Sequence, residues 1–296
     1  MEHAHGHGHT HRAHDFDWAA MVSFAEADAE VLMSFLDGAT SALADLAAED
    51  GLDVLRILDV GSGPGVAACA LAERFAGASV VAADGSAEML ANVETRAERL
   101  GLAGRVETLV VDLPQGIDDL GRADLVWMSM VLHHVGDEGG TLRALRSKLD
   151  AGGLLALVEF GDPLRVVPDD VELGRPGLWA RIDTAYAEWM AGMRAELPGA
   201  IVSADYPTML ADAGFDVVID RIVAVRLDPP LDAQARQVAL GYVERMRRHV
   251  EPYADAADLA ALDTLIDADS PEGVTRRPDA FLHVSRHLFV CRAADR

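Results

Sequence analysis

The chain is short of cysteine, lysine and aromatic residues. Its 296 residues include two cysteines, Cys69 and Cys291, too few for a disulfide framework or a Cys-based zinc site. Lys148 is the only lysine, and basic residues number 25 against 49 acidic ones. The resulting formal charge of −24 repels phosphate backbones and speaks against a nucleic-acid partner. It would suit a cationic small molecule, or serve only to keep the protein soluble. No apolar run reaches the roughly 20 residues of a membrane span, and the N-terminus lacks an apolar secretory stretch. The expectation is a cytoplasmic protein without a membrane partner. What the chain has in quantity is apolar residues, half of the total, enough for a large core in one domain with insertions.

The N-terminal tract carries His3, His5, His7, His9, His11 and His14 among small residues. It has no core-forming pattern and reads as a disordered tail over 1–14. Neutral imidazoles can chelate transition metals, so adventitious metal is one expected occupant; no resident metal site is assigned. From Asp15 the pattern turns helical: Trp18, Met21, Val22 and Phe24 begin a helix, and Val31, Leu32, Phe35 and Leu36 continue one after Ala27-Asp28-Ala29. Asp50-Gly51 ends the region, which either covers the sheet edge or closes over a ligand as a lid.

Residues 52–161 alternate between short apolar runs and helical patterns. Val54–Val60, Ser79–Ala83, Val106–Val111, Asp124–Met130 and Leu154–Phe160 read as buried strands. The stretch Leu58-Asp-Val-Gly-Ser-Gly-Pro-Gly65 turns the first of them sharply into a helix, as nucleotide-binding units do. Glycine allows positive φ there and lets a ligand approach bare backbone. Continuous apolar strands separated by helices argue for a mostly parallel, doubly wound α/β sheet covered on both faces. Its ligand belongs beyond the strand carboxyl ends, where Gly61–Gly65, Asp84, Asp112 and Ser129–His134 all fall. A dinucleotide fingerprint fits less well, because Gly65 comes one position early and Val66 stands where the third glycine should be.

Asp59-x-Gly61-x-Gly63-x-Gly65, Asp84 and Asp112-Leu113, in order on three successive strand ends, resemble the class I S-adenosylmethionine-dependent methyltransferases over about Arg56–Gly161. The resemblance implies a Rossmann-like methyltransferase fold with a seven-stranded sheet, N-terminal helices and helical insertions, and S-adenosylmethionine as cofactor. By the same resemblance, Gly61, Ser62, Gly63 and Gly65 would take the amino-acid end of the cofactor, with Asp59 facing its ammonium. Asp84 would hold the ribose hydroxyls, Gly85 and Met89 would flank the adenine, and Asp112 and Leu113 would meet its amino group and ring. Ser129 and Met130 would line the methionine portion. For each aspartate alone, a helix cap or turn residue is the plain alternative.

Methyl transfer needs alignment first and a base only where the acceptor must lose a proton. His133 and His134 follow the fourth strand and are the candidate catalytic residues; the plain alternative is that they hydrogen-bond neighbouring loops. His249, His283 and His287 read as surface or structural. Beyond the core, 162–205 is expected to form a cap with Trp179, Tyr186 and Trp189 on one helix. Residues 206–296 supply the closing strands, interrupted by a helical insertion over 228–280, and 15–296 together read as a single domain. The expected activity is O- or N-methylation of a small-molecule acceptor. The alternatives are a methyltransferase-like protein that binds cofactor or metal without turnover, and a nicotinamide oxidoreductase. Oligomeric state, a homodimer included, stays open.

Overall fold

A computed structural model describes residues 18–169, 171–200 and 205–294, so the histidine tract lies outside the described residues. Helices α1 (Trp18–Val31) and α2 (Met33–Asp50) lead into β1 (Arg56–Val60), α3 (Val66–Arg74), β2 (Ser79–Asp84), α4 (Ala87–Arg99) and β3 (Val106–Val110). β4 (Ala123–Ser129), α5 (Glu138–Lys148), β5 (Leu149–Phe160), α6 (Leu178–Ala195) and α7 (Tyr206–Asp212) follow. β6 (Phe215–Leu227), α8 (Ala233–Val250), α9 (Ala256–Ile266) and β7 (Leu282–Ala293) complete the order.

The strands form one seven-stranded sheet, β3-β2-β1-β4-β5-β7-β6. β1 to β5 are parallel, and β7 is antiparallel to both β5 and β6. Side chains alternate between faces, as strand geometry requires. Ile57, Leu125, Trp127, Ala156 and Val290 pack with α2, α3, α4 and the α6, α8 and α9 helices. Leu58, Val126, Met128, Leu157 and Phe289 pack on the other face with α5 and α7. Cys69 and Cys291 are free thiols buried in these two separate layers.

The chain winds outward from β1 to β3, then crosses back to place β4 on the other side of β1. This is the switch point, and the glycine turn and Ser129–His134 lie on either side of it. Because β7 runs antiparallel to β5, Phe160 at the end of β5 faces Arg286 near the start of β7. Leu227 at the end of β6 likewise faces Leu282. The α8–α9 insertion therefore leaves and re-enters the sheet at the edge where the strand ends converge, and α6 leaves from the end of β5 at that same edge. Connectivity thus puts all three helices at the end of the sheet where the candidate site lies.

Three boundaries differ from those read in the sequence. α1 runs unbroken through Ala27-Asp28-Ala29, since alanine is the best helix former, and the 65° bend falls at Leu32 instead. α5 begins at Glu138, earlier than the apolar pattern, because the Asp137 side chain accepts from Gly140 N–H and caps it. β5 begins at Leu149, where pairing with Ala123 draws the expected turn into the sheet through a register shift, with Gly152 at φ +74°. Among the described residues, no single helix is long and apolar enough to cross a membrane.

Candidate active site

The three turn glycines have different tasks, although all have positive φ. A Cβ on Gly61 would lie 2.2 Å from Val131 Cγ2, and one on Gly65 would lie 2.8 Å from both Val93 methyls. Both glycines allow close packing between elements. A Cβ on Gly63 would meet nothing within 4 Å, so Gly63 is the one that turns bare backbone to open space. Gly61 N–H and Ser62 N–H both donate to Ala83 O, at 2.7 and 3.1 Å, which clamps the turn across the β1 and β2 ends.

Asp84 closes the neighbouring side. Its two oxygens accept from Gly63 N–H and Ser86 N–H, each at 2.9 Å. A carboxylate has about four acceptor positions, so both oxygens retain capacity. Ser86 caps α4 by accepting from Met89 N–H at 3.2 Å; Met89 is buried, whereas Gly85 is exposed. A Cβ on Gly85 would sit 3.2 Å from Asp112 Oδ1, so the β2 and β3 ends touch through Asp112, with half-buried Leu113 beside it. On the far side of β1, Met130 adopts φ +59°, rare for a side-chain-bearing residue. Its N–H donates to Val158 O at 2.8 Å, anchoring the turn after Ser129.

Asp59 lies below the turn on the α3 face and is 2 % exposed. Burial pushes its carboxyl from 3.8 up to about 8; the charge of Asp84 adds to this, and a hydrogen bond from the Ala68 backbone opposes it. Asp59 Oδ2 and the neighbouring Ser62 Oγ are buried without hydrogen-bond partners among the described residues. Orphaned buried acceptors are rare and call for a missing donor.

At the β4 end, the His133 and His134 rings lie 4.0 Å apart but differ in burial. His133 is 4 % exposed, and its Nδ1 sits 2.6 Å from Oε2 of Glu159, which is fully buried. The other Glu159 oxygen accepts from Leu132 N–H at 3.0 Å. The carboxylate thus fixes both the turn and the imidazole, with Nδ1 as the donor and Nε2 as the free nitrogen. Arg194 of α6 pairs with Glu138 and donates to His133 O at 3.5 Å, tying the cap to this turn. His134 is exposed yet hemmed in by protein, and burial, then His133 and His249, hold it below the usual histidine range.

His249, on α8, is half-buried and packs against the cap aromatics beside His134. Its ring stacks on Trp189 at 3.7 Å and 5°, with Tyr186 at 6.0 Å. Burial, then Arg245 and Arg248, push its pKa down to about 4. Phe160, 41 % exposed, lies with its ring 4.6 Å from that of His133. Glu159, His249 and Phe160 are the residues that sequence reasoning did not assign to the site. Glu159 offered one signal: a carboxylate at the end of an otherwise apolar strand.

A doubly wound sheet with acidic residues at successive strand ends, a glycine turn at the switch point and a helical cap defines a nucleotide-type cofactor site. A family model described as a methyltransferase domain matches residues 57–153. The chain is similar to trans-aconitate 2-methyltransferases of Azoarcus sp., at 31% identity over 58% of this chain and 62% of that protein. A second, from Methylobacterium radiotolerans, is 28% identical over 77% of this chain and 91% of that one. The tRNA 5-carboxymethoxyuridine methyltransferase of Escherichia coli is 34% identical over 38% of this chain and 43% of that one. The chain spans from 26% to 91% of the lengths of the first three curated relatives it matches. A solved Bacillus halodurans structure described as a candidate methyltransferase shares the fold at a TM-score of 0.50 and 18% identity, over 86% of this chain and 100% of that one. Residues 57–153 thus carry a methyltransferase domain of the class I S-adenosylmethionine-dependent type, whose cofactor is S-adenosylmethionine.

The residues present fit that cofactor. An ammonium would satisfy the orphaned Asp59 Oδ2 and restore its charge, Gly63 leaves room against the backbone, and Asp84 keeps acceptor capacity for hydroxyl groups.

Proposed function

We propose that the protein methylates an oxygen or nitrogen of a small-molecule acceptor, with His133 taking the acceptor's proton. The buried Glu159–His133 pair supports this reading most directly. When bound, S-adenosylmethionine supplies an electrophilic methyl group. The chain's own residues would hold and align it: Asp84 would receive hydroxyl donors, Gly85, Met89, Asp112 and Leu113 would border the adenine, and the Ser129–Met130 backbone would line the methionine portion. Glu159 keeps the His133 proton on Nδ1, so Nε2 presents a lone pair. As Nε2 gains a proton, the adjacent carboxylate stabilises the imidazolium that forms. His134 stands beside it as a neutral wall.

A hydroxyl or amine acceptor makes use of such a base, while an ionised carboxylate does not. The relatives named for trans-aconitate support a small acceptor. The tRNA enzyme is similar over only 38% of this chain, and a chain charge of −24 opposes docking of a polyanion. The test is methyl transfer from labelled cofactor to a panel of hydroxyl and amine metabolites, with trans-aconitate as the acceptor that needs no base. His133→Ala and Glu159→Gln should slow transfer to protonated acceptors at least about tenfold, leave cofactor affinity unchanged, and shift the pH profile. Equal turnover in both variants would remove His133 from the reaction.

A further inference from the structure

Arg245 and Arg286 carry positive charge that the cofactor site does not use. Arg245 on α8 lies one helical turn before His249, so the two share a face. Its guanidinium sits 4.5 Å from the Phe24 ring centroid and 5.0 Å from that of Tyr242. No carboxylate lies within ion-pair distance of it among the described residues. Arg286 of β7 is 3.6 Å from Asp28 Oδ2, and the Tyr242 hydroxyl donates to Asp28 Oδ1. Arg245, Tyr242, Asp28 and Arg286 therefore form one cluster joining α1, α8 and β7, with two guanidiniums against one carboxylate. The two rings hold the Arg245 guanidinium by cation–π contact but supply no anion, although the chain has nearly twice as many acids as bases.

The cluster also points toward the reacting end. Arg286 is the cross-strand partner of Phe160, whose ring lies 4.6 Å from His133. The stacked Trp189–His249 pair and Tyr186, 5.2 Å from Trp189, form a flat aromatic wall alongside. Resting on the proposed reaction at His133, we propose that Arg245 and Arg286 form the carboxylate-binding end of the acceptor pocket. The acceptor is then a small organic acid that carries a hydroxyl or amine, with its carboxylate on the two guanidiniums and its nucleophile at His133. Planar guanidiniums suit this task, since each offers paired donors to a carboxylate. Asp28 holds Arg286 in place and is displaced or shared when the acid enters.

The experiment is calorimetric binding to the full-length protein saturated with S-adenosylhomocysteine, using hydroxybenzoic, aminobenzoic and aliphatic hydroxy acids, each beside its neutral amide. Cofactor affinity is measured separately, and neither readout requires turnover. At least one acid should bind about tenfold or more tightly than its amide. Arg245→Gln and Arg286→Gln should each remove that preference while cofactor affinity stays unchanged, and Arg245→Lys should retain part of it. If no acid is preferred over its amide, or if Arg245→Gln keeps the preference, the carboxylate site is refuted even where cofactor binding and methyl transfer hold. Should Arg286→Gln lose its fold with its Asp28 contact, Arg245→Gln, which breaks no ion pair, decides the matter alone.

Discussion

Replacing Asp59 with asparagine separates stability from function at a single buried oxygen. The Asp59 carboxyl is pushed from 3.8 up to about 8, chiefly by burial. A pKa raised in the folded state means that the fold binds the proton more tightly than the unfolded chain does. The stabilisation is complete below the unfolded value of 3.8 and is lost as pH rises to about 8. Asparagine is neutral throughout, and its carbonyl can still accept from Ala68 N–H. Between about pH 5 and pH 8.5 the wild type should lose roughly 4 kcal/mol relative to this variant, at about 1.4 kcal/mol per pH unit. For a chain of this size that is an upper bound of about 8 °C in Tm, and water penetration should reduce it to about 4 °C. Paired thermal melts at the two pH values would measure it, other titrating groups being common to both proteins. Cofactor binding should move in the opposite direction. An ammonium beside Asp59 favours the carboxylate, so the wild type should release a proton on binding near pH 7, and calorimetry in buffers of different ionisation enthalpy would detect it. The asparagine variant should release none and bind at least about tenfold more weakly. If the variant's stability relative to wild type were no greater at pH 8.5 than at pH 5, the buried neutral carboxyl would be refuted. Unchanged cofactor affinity would refute its pairing with an ammonium.

Asp84→Ala removes the acceptor for Gly63 and Ser86 N–H and should weaken S-adenosylmethionine binding by about a hundredfold; equal affinity by calorimetry would overturn its role. Gly61→Ala sets a methyl group 2.2 Å from Val131 Cγ2 at φ +73° and should destabilise by about 2–4 kcal/mol, partly rescued by Val131→Ala. Gly63→Ala faces open space and should cost only about 1 kcal/mol in denaturant melts, while lowering cofactor affinity far more than that. His249, depressed to about 4, stabilises the cap above its ordinary value of 6.5 and ceases to as pH falls toward 4. Since the ring is only half-buried, the loss should be about 1–2 kcal/mol. It would appear as lower hydrogen-exchange protection factors in α6 and α8 at pH 5 than at pH 7 and disappear in His249→Phe.

The features legible in the sequence were those that depend on local pattern. Apolar runs marked the five parallel strands, most clearly β1, β2 and β4, whose burial on both faces leaves little room for polar side chains. Asp59, Asp84 and Asp112 stood out because each ends such a run where a turn must follow. The separate tasks of Gly61 and Gly63 were not legible, since they depend on Val131, about seventy positions away. Glu159 stood out as a carboxylate in an apolar strand, but its meaning comes from the Leu132–His133 turn beside that strand. His249, Arg245 and Arg286 were the least legible, because the antiparallel closure of β5, β7 and β6 determines where α8 leaves and re-enters the sheet. That closure makes the two halves of the site different in kind. The cofactor half is built from consecutive strand ends and keeps its spacing in the chain. The acceptor half is assembled from α1, α6, α8 and β7, elements brought together only by topology. Similarity to other family members over residues 57–153 therefore speaks to the cofactor, while the choice of acceptor rests with Arg245, Arg286 and the Trp189–His249 stack, all outside that segment.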